Sequence, residues 1–424
     1  MHGRAGRETP TAGVDSAAVK VLLVGSGGRE HALAWKLAAG AGGVELHAAP
    51  GNPGIATLGQ CHPVRADDAE TLLGLARSLA VDLAVIGPEA PLVAGVADEL
   101  RHAGVAVLGP GRAAARIEGS KTFAKDVMRA AGVPTAATLP VARPPCVVKV
   151  DGLAAGKGVF VCRTAAELDA ALTEAAAFAG PLVIEELLEG EEVSLFALCD
   201  GRNVLGLTPA QDFKRLAEGD AGPNTGGMGS FAPVPALPPE RVDELLELVH
   251  RPVVAELARR GAPFVGLLYA GLMLTASGPQ VLEFNCRFGD PETQSILPLL
   301  EGDLLAALAA AATGDLSGTE LAARDAHAAV TVVLAAGEYP RHGDHGSAIE
   351  GVAEAESENV HVFHAGTALQ NARLVTNGGR ILDVTGTGAT LAVARERAYA
   401  ACDRISFRGV RFRRDIAAAA SAGG

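Results

Sequence analysis

Residues 147–160 read VVKVDGLAAGKGVF: an apolar run ending in Lys149 and Val150, a loop in which Gly152, Gly156 and Gly158 surround Lys157, then a second apolar run. β-branched runs joined through glycine read as strand, loop, strand. Glycine backbones approach a ligand closely and present N–H donors, while lysine neutralises mobile phosphoryl oxygens. Taken alone, a GKG turn also suits an ordinary surface hairpin. Lysine usage separates the two readings. Only seven of the thirty-six basic residues are lysine: Lys20, Lys36, Lys121, Lys125, Lys149, Lys157 and Lys214. In a chain that prefers arginine, lysine should persist where a compact, flexible ammonium fits and a planar guanidinium does not. Two of the seven fall in this stretch, which therefore reads as a phosphate-handling loop.

The rest of the composition narrows the class. A length of 424 residues suggests about three domains. Hydrophobic content of 49% with 20% charged residues is that of a soluble globular enzyme. Aromatics make up 4%, with Trp35 the only tryptophan, so a stacking platform for nucleic acid is not expected. The net charge of −13 leaves no global attraction for a polyanion, and anionic ligands must be met locally. Six scattered cysteines without CxxC pairing point to reduced thiols in the cytoplasm rather than a zinc site or disulfides. Residues 1–19 lack an apolar core and read as a disordered extension, as does the Ala/Gly-rich end after Arg414. No apolar run is long enough to span a membrane.

Strand patterns at 20–24, 44–48, 83–86 and 105–108 alternate with helical patterns at 30–39, 69–79 and 93–102. This alternation predicts a parallel α/β sheet over 20–118. Ligands of such sheets bind beyond the carboxyl ends of the strands. Here those ends carry GSGGREH (25–31), APGNPG (49–54), GPEAPL (87–92) and GPG (109–111). A second region, 119–325, holds the phosphate loop, a helix at 165–177, strands at 182–186, 193–198, 267–274 and 280–285, and a helix at 239–260. From 326 a small terminal unit has strands at 328–334, 361–364 and 380–384 and a helix at 391–405.

The run VLEFNCRFGDPE (281–292) is a second phosphate-relevant cluster. Side chains alternate along a strand, so Glu283 and Asn285 share a face, with Leu282 and Phe284 on the other. Two oxygen donors so placed, completed by nucleotide phosphates and water, suit magnesium, or manganese in its place. Arg287 joins that face if the strand continues, where it would stabilise charge on a transferred phosphoryl group. The run 184–192, IEELLEGEE, joins two units and offers backbone to an adenine edge and acid to ribose, although glutamate-rich linkers are also common at surfaces. The loop PNTGGMG (223–229) follows QDFKR (211–215), where Asp212 suits an ammonium and Lys214 an anionic group. On local grounds the same residues also suit a solvated turn.

The order of GSGGREHALAWKL, APGNPG, GPEAPLVAG, EGSKTFAK, VKVDGLAAGKGV, VIEELLEGEEVS, QDFKR, GPNTGGMG, LLYAGLM and EFNCRFGDPETQ closely resembles the glycinamide ribonucleotide synthetase (phosphoribosylamine–glycine ligase) family of ATP-grasp enzymes. The resemblance covers residues 20 to about 414 and implies an N-terminal α/β domain, a small lid (about 124–187), a central ATP-grasp domain and a small C-terminal α+β domain. It implies ligation of glycine to 5-phosphoribosylamine through a glycyl phosphate, driven by ATP, in purine biosynthesis. By resemblance, Lys121 and Lys149 meet the nucleotide phosphates, and Gly156, Lys157 and Gly158 form the lid loop. Glu185, Glu186 and Leu188 form the adenine hinge, with Glu192 at the ribose, and Glu283 and Asn285 hold the metal. Gly27, Gly28, Arg29 and Glu89 meet phosphoribosylamine. Asn224, Gly226 and Gly227 bind substrate, while Asp212, Lys214 and Arg287 serve the chemistry. The expected partners are these small molecules, with neither nucleic acid nor membrane, and the expected state is a monomer.

Two features depart from the family pattern. Only twelve residues separate Pro134 from Val147, and Pro181 leads straight into the next strand, so the lid reads as trimmed and without a helix before Val147. Phe213 stands where a histidine is expected in QDxKR. A dinucleotide-binding oxidoreductase is disfavoured, because Glu30 stands where the third glycine of that fingerprint belongs. Other ATP-grasp ligases would share the lysines and metal ligands but not GGREHA or GPNTGGMG. A metal site from His342/His345 or His361/His364 is not expected, since residues three apart on a strand face opposite ways.

Overall fold

A computed structural model of the chain describes residues 18–40, 42–154, 157–178 and 180–422. Of the expected disordered extension 1–19, residues 1–17 lie outside them, as does the loop residue Gly156, whereas Val19 already begins the first strand. Val19–Gly25 pairs in parallel with Val44–Pro50 on one side and Leu83–Ile86 on the other. Gln60–Cys61 and Ala106–Leu108 complete a five-stranded parallel sheet. The chain leaves Val19–Gly25 toward one edge and later returns to its other side, so the loops after the central strands diverge into a crevice. The expected single helix at 93–102 is two, Glu89–Ala94 and Val96–His102. Gly95 divides them with a left-handed φ of +93°, a conformation glycine adopts without a Cβ penalty.

Four antiparallel strands form the central sheet, in the order Val204–Gly206, Glu191–Asp200, Val265–Thr275, Gly278–Asn285. Opposite it stands a smaller antiparallel sheet, Val159–Cys162, Cys146–Val150 and Leu182–Glu186, backed by the helix Ala165–Ala175. This lid has its own small core of Cys146, Val148, Cys162 and Ala171. The lid does not begin at 124. Ala124, Val127 and Met128 of the helix Lys121–Ala131 are buried in the main core, so that helix belongs to the body. As expected, no helix lies between residues 133 and 145; that segment runs irregularly, and Leu139 N–H donates to Ile184 O at 2.8 Å.

The helix expected at 239–260 carries a π turn, Leu246–His250, between Pro239–Leu245 and Arg251–Arg259. Pro252 has no N–H for the preceding turn, and the wider turn accommodates that loss.

The terminal unit does not stand apart at residue 326. Its five-stranded sheet runs Gln211–Asp212, Gly229–Ala232, Ala328–Ala335, Arg380–Gly388, Val360–His364, so two strands come from the central region. A three-stranded sheet of Asp344–Ala348, Arg373–Gly378 and Thr367–Gln370 was not anticipated. The chain end also differs from expectation. Ile416 and Ala417 are fully buried in the main core, and Tyr399 Oη donates to Arg413 O (2.7 Å) and accepts from Ile416 N (3.1 Å). Apolar burial and these bonds hold the segment after Arg414 in place.

Candidate active site

A cleft of about 1620 Å³ lies between the lid and the central sheet and reaches the N- and C-terminal regions. On the lid side, Lys149 projects from Cys146–Val150 and donates to Leu282 O at 2.7 Å, across the cleft floor. Its Nζ also lies 2.7 Å from Glu185 Oε2. The other oxygen of Glu185 pairs with Lys125 Nζ at 2.8 Å, and Lys125 in turn donates to Thr135 Oγ1 and Ala136 O. One buried carboxylate thus binds two buried lysines. Glu185 therefore braces the lid against the body, and its carboxylate is not presented to a base. Glu186 is likewise engaged, accepting from Ala137 N at 2.7 Å, while Leu188 lines the cleft. Lys121 opens its helix beside Asp151, whose carboxylate accepts from the Lys121 N–H (2.6 Å). Lys121 Nζ donates to Gly152 O at 3.0 Å, and burial lowers its pKa against the pull of Glu283. Lys157 is exposed and donates to Pro340 O at 3.1 Å. Gly158 packs tightly against Ala154.

Glu283 and Asn285 both line the cleft, from the strand Gly278–Asn285. The strand is not regular: Gly271 pairs with Glu283 but Leu272 pairs with Val281, which leaves Leu282 as a bulge. Val281 and Phe284 are buried in the core, whereas Leu282 lines the cleft, contrary to simple alternation. The bulge turns the Leu282 carbonyl to Lys149. Burial works against the charge on Glu283, but Lys214, Lys149, Lys121 and Arg287 together hold its pKa below the ordinary carboxylate value. Arg287 lies past the strand's end, held by Glu89 (3.3 Å), Glu118 (3.4 Å) and Asn285 Oδ1 (3.3 Å). Glu118, at the end of the helix Arg112–Gly119, opens the motif EGSKTFAK but is assigned no role from the sequence; burial raises its pKa despite Arg287.

Lys214 Nζ forms an ion pair with Glu192 and lies 3.6 Å from Glu283. Burial disfavours its charge, yet Glu192, Tyr269, Glu283 and Asp212 hold its pKa well above the usual value. Asp212 shows the reverse. Burial and the neighbouring Glu292 push its carboxyl pKa well up, and among the described residues its Oδ1 has no hydrogen-bond partner. Glu292 is buried beside it, accepting from Ser194 Oγ at 3.2 Å. The loop 223–229 closes over Asp212. Gly227 has φ +106°, and a Cβ there would meet Pro291 Cδ at 2.4 Å and Asp212 Oδ1 at 2.9 Å. Asn224 Nδ2 donates to Val159 O of the lid at 3.1 Å. Phe213 lines the cleft, its ring packed 6.2 Å from Phe231 and 5.0 Å from the Arg413 guanidinium.

From the N-terminal sheet, Arg29 and Glu89 reach the cleft. Arg29 is buried, donating to Glu30 Oε1 (2.6 Å) and Phe288 O (3.0 Å). Gly27 N–H donates to Glu30 Oε2 at 2.6 Å, which fixes the helix start. Gly28 is pressed against Asp383, where a Cβ would lie 1.8 Å from Oδ2, so this glycine serves packing behind the cleft. His361 and His364 both approach the helix Gly28–Ala38, with ring centroids 4.4 Å from Trp35 and 5.4 Å from His31. They face one neighbour rather than opposite sides, because His364 ends its strand.

Residues 19–118, 119–293 and 329–419 match the N domain, the ATP-grasp (A) domain and the C domain of phosphoribosylglycinamide synthetase. The chain belongs to the phosphoribosylglycinamide synthetase family. Among its relatives, the phosphoribosylamine–glycine ligase of Streptomyces coelicolor is 50% identical over 418 residues, covering 95% of this chain and 100% of that protein. The Leifsonia xyli ligase of the same name is 51% identical over 424 residues, covering 95% and 100%. The crystal structure of the Thermotoga maritima phosphoribosylamine–glycine ligase superposes with a TM-score of 0.81 at 35% identity, covering 94% of this chain and 100% of that one. The biotin carboxylase domain of Hydrogenobacter thermophilus 2-oxoglutarate carboxylase, solved with magnesium ADP, shares the fold at a TM-score of 0.69 and 19% identity, covering 92% and 91%. The phosphoribosylglycinamide synthetase family thus accounts for both the parallel N-terminal sheet and the cleft between lid and central sheet.

Proposed function

We propose that this chain is a phosphoribosylamine–glycine ligase, joining glycine to 5-phosphoribosylamine with ATP and releasing ADP and phosphate in purine biosynthesis. The observation that supports it best is the gathering of Lys121, Lys149, Lys214 and Arg287 around Glu283, next to Asp212 with its unpartnered oxygen. Cations so arranged stabilise negative charge that develops on transferred phosphoryl and acyl oxygens.

Lys121, Lys149 and the 156–158 loop hold the nucleotide phosphates. Leu188 and the backbone of the 185–188 hinge receive the adenine, and Glu192 faces the ribose. Glu283 and Asn285 offer oxygen donors only, and Glu283 is held ionised, a set that fits a hard divalent cation shared with phosphates, magnesium or manganese alike. Such a cation, when bound, neutralises charge on the β- and γ-phosphates. Asp212, with Glu292 beside it, takes the ammonium of glycine, and Lys214 orients its carboxylate.

A carboxylate oxygen of glycine then attacks the γ-phosphorus. The bond to the β–γ bridging oxygen breaks and ADP leaves with that electron pair, as Arg287 and Lys214 stabilise the charge. The amine of phosphoribosylamine, brought in by Arg29 and Glu89, attacks the acyl carbon. Its C–O bond to phosphate breaks, and the attacking nitrogen loses a proton. The lid keeps water from the glycyl phosphate meanwhile. The test is ADP release by the purified protein with ATP and magnesium, together with mass detection of the amide product. Product formation requiring both glycine and phosphoribosylamine is the expected result; ADP release without that product overturns the reading.

A further inference from the structure

Both backbone groups of Gly226 are held by side chains from the C-terminal region. Its N–H donates to Tyr339 Oη at 2.9 Å, and its carbonyl accepts from Arg380 Nη1. Arg380 also binds Asp290, through the backbone carbonyl at 2.9 Å and through Oδ2 at 2.8 Å. It therefore ties the loop 223–229 to the FGDPE turn. Neither side chain has freedom to wander. A Cβ at Gly379 would lie 2.6 Å from the Tyr339 ring, and Asp290 is fixed in turn by Gln294 at 2.8 Å. The next residue, Gly227, is wedged between Pro291 and the Asp212 carboxylate. Where Gly226 is placed thus decides how the backbone covers Asp212.

We infer that Tyr339 and Arg380 are positioning residues for glycine, gripping Gly226 so that the loop shapes the pocket around Asp212. The inference rests on the ligase reading and on Asp212 as the ammonium partner. It separates the substrates. Lys121 and Lys149 bond to Gly152 O and to Leu282 O and Glu185, not to the loop 223–229. The bond from Lys157 goes to the Pro340 backbone, which a change of the Tyr339 hydroxyl leaves in place. Loosening Gly226 therefore weakens glycine and leaves ATP alone.

The test is Tyr339→Phe, which keeps the ring and removes one hydroxyl, with Arg380→Lys as a second variant that keeps the charge and loses the forked grip. KM is measured for glycine and ATP separately, with product as the readout and the thermal midpoint as a control on folding. Loss of one neutral hydrogen bond should raise the glycine KM about three- to tenfold in Tyr339→Phe, with the ATP KM within about twofold of the parent. A larger rise for glycine is expected in Arg380→Lys. If the parent turns over but Tyr339→Phe keeps its glycine KM, or both KM values rise together, the inference fails while the ligase reading stands. A parent that makes no product from glycine overturns both.

Discussion

Lys214 Nζ stands 3.6 Å from Glu283 Oε1. The residue proposed to orient the glycine carboxylate therefore borders the residue proposed to hold the metal, and each stabilises the charge of the other. On the proposed roles, the sites for phosphoryl donor and acceptor adjoin at this contact, on the strand Gly278–Asn285 rather than on the lid.

Removing Glu283 should test that placement. Glu283→Ala is expected to lose at least about 10²–10³-fold in kcat, the scale of one preorganised electrostatic group. The fold should persist, because Glu283 is only partly buried and the core contacts of its strand come from Val281 and Phe284. Near-normal magnesium-dependent turnover in a folded variant would remove Glu283 from the ligand set.

Lys149→Arg should fail although the charge is kept. Lys149 Nζ contacts Leu282 O and Glu185 Oε2, each at 2.7 Å, in a buried space that suits a compact ammonium. A guanidinium is broader and planar and meets its partners along fixed directions. The expected outcome is a raised ATP KM and a lowered kcat; parental values for both would contradict the size argument.

Asp383 should leave a mark on the pH dependence of stability. Burial, then the nearby Asp290, raises its pKa from 3.8 to about 7. Between about pH 4 and pH 7 the folded state holds a proton that the unfolded state has released, so stability falls as pH rises through that window. Asp383→Asn should remove this slope and raise the melting midpoint relative to the parent more at pH 8 than at pH 5. An equal shift at both values would show that Asp383 is ionised throughout.

The lid without a helix before Cys146 is expected to guard its intermediate less well. Glycine-dependent ADP release in the absence of phosphoribosylamine should exceed that of a relative with a longer segment, because a lid acts by excluding water. Equal or lower release would mean that the irregular segment 133–145, bonded to Ile184, seals the cleft as well as a helix does.

Periodicity and glycine placement make the N-terminal sheet and the shared face of Glu283 and Asn285 readable in the sequence. Lys121 and Lys149 line the cleft where lysine usage leads one to expect phosphates, whereas Lys125 is buried on Glu185 and Thr135 and serves the frame. Alternation failed at Leu282 because a bulge adds a residue that no local pattern marks. Glu118, Tyr339 and Arg380 were out of reach for a different reason. Their partners lie 168 residues away at Cys286, 113 at Gly226 and 154 at Gly226 respectively, and such contacts come from topology, not from neighbouring residues.

The sheet that joins Gly229–Ala232 to Ala328–Ala335 bears on how the molecule comes apart. A line of buried hydroxyls crosses the same seam, from Ser230 to Ser295 (2.8 Å), Thr331 (2.7 Å) and Thr385 (2.8 Å). Cutting the chain near residue 326 would strand Gly229–Ala232 as a naked edge and take Thr331 from Ser295 in an apolar setting. Such an edge recruits other strands, and truncated protein would aggregate instead of surviving as a smaller nucleotide-binding unit. Residues 211–232 and the C-terminal region should accordingly melt together, in one cooperative transition.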